Sequence, residues 1–181
     1  MPNMSGHMAI AKQVSEILNI NNDDFYRGNL LPDLYIDKVK SHYKIQGKKY
    51  LIPDISRVKK ELDLTNMENL GYLTHLLLDK YYLEEYLIDI KDDVFKNKAI
   101  YKDYDILNKD IVEYFKIDVP YLESILHDFN HNISNDKLEV NLKCLMERLD
   151  GTTKYLEKDK FISFLEKTAA RIAKEIKEYI N

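Results

Sequence analysis

The chain carries a single cysteine, Cys144, in 181 residues, which excludes an intramolecular disulfide and any cysteine-built zinc knuckle or redox pair. Glycine and proline are also scarce, five and four copies. Sheet-rich folds consume such residues in their turns, so that class is disfavoured. No apolar run is long enough to span a bilayer, and MPNMSGHMAIAKQV at the start lacks the basic stretch and long apolar core of a secretion signal. The expectation is a soluble, cytoplasmic protein. Excess positive charge is missing too: the formal net charge is -4, so duplex nucleic acid is not an expected partner despite Lys48-Lys49 and Lys59-Lys60.

What remains is 45% hydrophobic and 32% charged residues with helical spacing, enough for one domain over residues 1–181 with a real core. The fold class predicted is all-α, a multi-helix bundle. Ile10, Ala11, Val14, Ile17 and Leu18 recur at three-and-four spacing, predicting a first helix over 8–18 with Ser5 as N-cap and His7 on the apolar stripe. Residues 19–65 show no sustained period apart from a short helix over 54–62, leaving GNLLPD (28–33) and KSHYK (40–44) irregular. A long helix is predicted over 67–90, followed by helices over 104–115, 120–133, 136–149 and 158–179.

In the 67–90 helix, GYLTHLLLD places His75 and Asp79 four residues apart, one turn apart on one face. Two polar groups in so apolar a run need partners, either each other and the backbone, or a metal ion. His7 faces inward as well, while Asp33 and His42 lie in the two irregular segments, so three His and two Asp from four regions can converge. Such donors suit zinc, and a shared carboxylate can bridge two ions. Each also has a plain reading: His7 as a helix-start residue, Asp33 as a turn or cap residue, His42 as a loop side chain in water. His127 and His131 project opposite the stripe of Leu122, Ile125, Leu126, Phe129 and Ile133, which favours solvent over metal. His127-Asp128 is a His-Asp dyad like that of the HD-superfamily phosphohydrolases, but its surface placement argues against that reading. Tyr81, Tyr82 and Tyr86, beyond Asp79, are read either as the wall of a cleft or as amphipathic core edges.

His7 opening a first helix, GNLLPD, SHY and GYLTHLLLD occur in an order that resembles the zinc-dependent phospholipase C family, relatives of zinc-dependent single-strand nucleases. The resemblance covers roughly residues 5–90, with 91–181 matching as helices only. IYKDYDILN (100–108) also resembles small relatives, with no role assigned. The resemblance implies a helical bundle holding zinc, with water activated by metal as the nucleophile toward a phosphodiester. Asp33, His42, His75 and Asp79 would then hold one zinc, His7 and Asp79 would help hold another, and Asp33 would act as general base.

The chain departs from the family pattern in three places. It has no Trp to supply the amine ligand of the secreted enzymes. Glu85 stands where a third zinc would find a histidine, and no further His and Glu pair follows unless His127 and His131 replace it. One or two zinc ions are therefore expected rather than three. The implied partner is a phosphodiester small molecule or phospholipid head group. The competing expectation is a catalytically inactive helical protein of the same ancestry that binds a metal or ligand.

Overall fold

The computed structural model describes residues 2–88, 99–127, 135–146 and 149–180. Helix α1, Met4–Leu18, begins one turn earlier than its apolar stripe predicts, because Asn3 and not Ser5 caps it by accepting from the Gly6 N–H at 3.3 Å. It ends at Asn19, whose left-handed backbone (φ 54°) is one that asparagine tolerates. Helix α2, Asp23–Leu34, is capped by Asn22, and Asp23 and Asp24 suit the positive end of its dipole.

GNLLPD is therefore helical, a correction to the irregular segment expected from Pro32. The proline sits in the last turn of α2, where its missing N–H and its ring cost little further helix. KSHYK is likewise ordered: α3, Lys38–Ser41, is capped by Asp37, and the hairpin β1, Lys44–Gln46, with β2, Leu51–Pro53, follows antiparallel with Ile45 opposite Ile52. Sequence periodicity missed both, since neither lasts two helical turns or five strand residues.

After α4, Ile55–Glu61, the central helix α5 runs Met67–Tyr81 and continues as a π-helical turn, Tyr82–Tyr86. Helices α6, Ala99–Tyr114, α7, Val119–His127, α8, Asn135–Met146, and α9, Lys158–Ile176, complete the described bundle. Residues 89–90, 128–133 and 147–148 of the predicted helices lie outside the described residues.

The site depends most on the crossing of α2 and α5. A Cβ on Gly28 would stand 1.8 Å from the Glu68 carbonyl oxygen, and one on Gly71 would stand 2.0 Å from that of Phe25. Both glycines are there because two backbones touch. That contact holds Asn29 and Asp33 of α2 against His75 of α5, and α1 and α9 pack over the same helix. Tyr81 and Tyr82 are buried rather than lining a cleft; Tyr82 and Tyr86 pack with Phe161 and Phe164 of α9.

Candidate metal centre

His7, Asp33, His42, His75 and Asp79 converge at the meeting of α1, α2, α3 and α5. All three imidazoles and the Asp79 carboxylate are fully buried, whereas the Asp33 side chain keeps 18% of its surface exposed. Asp33 is the way out to solvent.

Each of two rings is turned by a group outside the cluster. The His75 Nδ1–H donates to the Asn29 carbonyl at 2.6 Å. The Ser41 hydroxyl donates to the Pro32 carbonyl at 2.9 Å, so its oxygen is left to accept from His42 Nδ1–H at 3.0 Å. Fixing the proton on Nδ1 leaves both Nε2 lone pairs pointing inward, the arrangement outer partners impose on metal-ligating histidines. These Nε2 atoms face one another at 3.3 Å. Two lone pairs at that distance repel unless a proton or a metal ion lies between them.

The carboxylates divide their oxygens in the same way. Asp79 Oδ2 lies 3.4 Å from His42 Nε2 and 3.6 Å from His75 Nε2, and Asp33 Oδ1 lies 3.7 Å from His42 Nε2. Donors about 2.0–2.1 Å from a tetrahedral zinc are separated by about 3.3–3.5 Å, so His42, His75 and Asp79 are spaced for one ion with little movement, with Asp33 beside His42. The other oxygens turn to His7: Asp79 Oδ1 is 3.5 Å and Asp33 Oδ2 4.0 Å from its Nε2, while its ring stacks on His75 at 3.6 Å. A carboxylate shared as Asp79 is suits a pair of adjacent ions.

Neither nitrogen of His7 and neither oxygen of Asp79 has a hydrogen-bond partner, although all four atoms are buried. Buried polar atoms are nearly always paired, so an orphaned set that, among the described residues, is confined to one cluster marks a place built for something else. Burial pushes His42 down to about 4 and also lowers His7, with the neighbouring His75 adding to the effect on His7. Both are therefore neutral and able to ligate near pH 7. For His75 burial acts downward too, but Asp79 and Asp33 outweigh it and raise its pKa. Burial alone would raise Asp79 and Asp33; the facing histidines instead hold both below the usual carboxylate range, with Lys38 contributing at Asp33.

Glu85 is not brought to this centre: its half-exposed carboxylate pairs with Arg171 of α9 at 2.6 Å. It lies on the π-helical turn and is engaged by Arg171 rather than by any of the five cluster residues. His131 lies outside the described residues, and α7 ends at His127, whose side chain is likewise outside them. Asn29 and Ser41 were missed as site residues from sequence, although they stand within GNLLPD and directly before His42; the signal was a polar neighbour inside each motif.

IYKDYDILN acquires a structural role. Asn108 binds Asn3 and accepts from the buried Ser5 hydroxyl at 2.7 Å, fixing the start of α1 and with it His7. Asp103 accepts backbone N–H bonds from Lys154, Tyr155 and Leu156. Tyr101, Asp105 and Asn108, spaced along one face of α6, line a cavity that has Asp33 and Lys38 in its wall.

The profile of the family described as zinc dependent phospholipase C matches residues 6–179, nearly the whole chain. No curated protein and no solved structure matches it.

Proposed function

The chain belongs to the zinc dependent phospholipase C family, and from that membership we propose that it is a zinc-dependent hydrolase of phosphodiester bonds. The observation that carries the reading is the convergence of three buried imidazoles and two carboxylates, with His7 and Asp79 left without hydrogen-bond partners and the cluster open to solvent only at Asp33.

His42, His75, Asp79 and Asp33 would hold one zinc, and His7 with the second oxygen of Asp79 would help hold another, leaving the second oxygen of Asp33 free. Zinc there supplies positive charge toward phosphoryl oxygens and brings the pKa of water down to about 7. The remaining work falls to the chain itself. Asn29 and Ser41 hold the imidazoles in one tautomer and one orientation. Burial of the histidines and Asp79 keeps bulk water out, which strengthens every charge interaction inside. Asp33, alone in reaching solvent, takes the proton of the attacking water on its carboxylate. A phospholipid-like head group is the substrate class the family suggests.

The test is zinc loading followed by assay on a soluble phosphodiester. Zinc-bound wild type should turn over, and Asp33→Asn should lose at least about a hundredfold in kcat, the scale of general base catalysis, while retaining metal. Zinc-bound wild type without turnover would assign the centre a structural or ligand-binding role.

A further inference from the structure

The cavity beside Asp33 measures about 180 Å³. That is below the roughly 300–1,000 Å³ of sites that enclose a drug-sized ligand, so it suits a phosphoryl group and a few attached atoms, with the rest of the substrate outside. A larger cavity of about 560 Å³, between α3, β1 and α4, touches none of the five cluster residues. Asp33 and Asp105 bring carboxylates to the smaller one, and Lys38 is its only cation among the described residues. An anion entering it therefore meets repulsion unless positive charge is released there.

Resting on the hydrolase reading, we propose that Lys38 is a substrate-binding residue that takes a non-bridging oxygen of the phosphoryl group in this cavity. Lys38 Nζ lies 2.6 Å from Asp33 Oδ1, the same oxygen that lies 3.7 Å from His42 Nε2. A metal ion held there would have to share one carboxylate oxygen with the ammonium as counter-charge. Once Asp33 ligates a metal, Lys38 loses much of that attraction but keeps its place. Its backbone is held by the Asp37 cap, whose carboxylate accepts from the Val39 and Lys40 N–H groups, and by the Ser41 bond to Pro32. Its side chain is 43% exposed on a flexible four-carbon stem, so a change of rotamer turns it from Asp33 into the cavity. There the charge-assisted N–H···O⁻ bond to a phosphoryl oxygen replaces the one to Asp33.

The experiment compares zinc-loaded wild type, Lys38→Met and Lys38→Arg, using calorimetric titration with inorganic phosphate and with dimethyl phosphate. Lys38→Met should weaken both about tenfold, the size of one charge-assisted contact, and Lys38→Arg should recover most of the loss. On a soluble phosphodiester KM should rise by a similar factor with kcat nearly unchanged, as for a contact made equally in ground and transition states. Zinc stoichiometry should stay at the wild-type value, and binding to vesicles of anionic phospholipid should be unaffected. Unchanged phosphate affinity in zinc-bound Lys38→Met overturns the role of Lys38 and leaves the metal centre standing. A loss confined to vesicles also overturns it, making Lys38 a lipid-surface contact. A wild type that takes no zinc overturns the hydrolase reading and this proposal together. Lys38→Arg keeps the charge, so the comparison survives if Lys38→Met fails to fold.

Discussion

Two buried aspartates sit in this protein under opposite regimes. Asp103, 2% exposed, accepts N–H bonds from three successive residues of the loop before α9, all between 2.6 and 3.0 Å. Asp79, fully buried, accepts none, and only imidazole nitrogens face it at 3.4–3.6 Å. Both bury a charge, and burying a charge costs several kcal/mol unless it is paired. At Asp103 the backbone provides the pairing, so that carboxylate is a structural pin. At Asp79 the fold withholds such donors and arranges lone pairs instead, leaving a demand for positive charge that a metal ion would meet. Burial therefore does not separate structure from function here; the partners do.

Exchanging the two carboxylates' chemistry should separate them most sharply. Asp79→Asn should weaken zinc by more than the roughly 10–100-fold that follows loss of an outer-sphere partner, since it removes oxygens shared by both proposed ions. Equilibrium dialysis with metal analysis would measure it, and wild-type stoichiometry in the variant would contradict the assignment. Asp103→Asn should do the reverse. Loss of charge-assisted bonds costs about 1.5–3 kcal/mol, which lowers Tm by roughly 3–12 °C in a chain of this size. Its zinc stoichiometry should stay at the wild-type value, as thermal unfolding and metal analysis on one sample would show.

A smaller effect comes from protons. His75 is raised above 6.5 by Asp79 and Asp33, whereas His42 is pushed down to about 4 by burial. Zinc takes neutral imidazole, so it must expel the proton from His75 but finds none on His42 near neutrality. As pH falls through the raised His75 value, zinc affinity should fall. At pH 6.5, therefore, more than about half a proton should leave per zinc bound, read from titrations in two buffers of different ionisation enthalpy. No release at that pH would show that His75 is already neutral. Smallest of all should be Glu85→Gln: its pair with Arg171 is half exposed, so the change should cost under about 1 kcal/mol and leave zinc binding as it was.

Much of the cluster was legible because several of its donors sit on patterned segments. His75 and Asp79 share a face through the 3.6-residue period alone, and His7 lies on the stripe of α1. Asp33 and His42 could be named but not placed, because α2 carries a proline in its last turn and α3 is four residues long. Gly28 and Gly71 were in view as the first letters of their motifs, yet their meaning is a contact between segments 43 residues apart in the chain. The hairpin escaped because three-residue strands leave no period to read. Glu85 could be named as a further donor but its pairing with Arg171 across to α9 could not be read, because that contact joins segments 86 residues apart.

By itself the sequence determined the helical class, the inward faces of α1 and α5, and the donor types that suit zinc, since these follow from local periodicity and side-chain chemistry. Only the tertiary structure decided which oxygen faces which imidazole, that Asp33 alone opens to solvent, and that Lys38 rests upon it. Those facts depend on how closely α2 approaches α5 and where α3 turns, and such distances are set by packing between segments that no local pattern encodes.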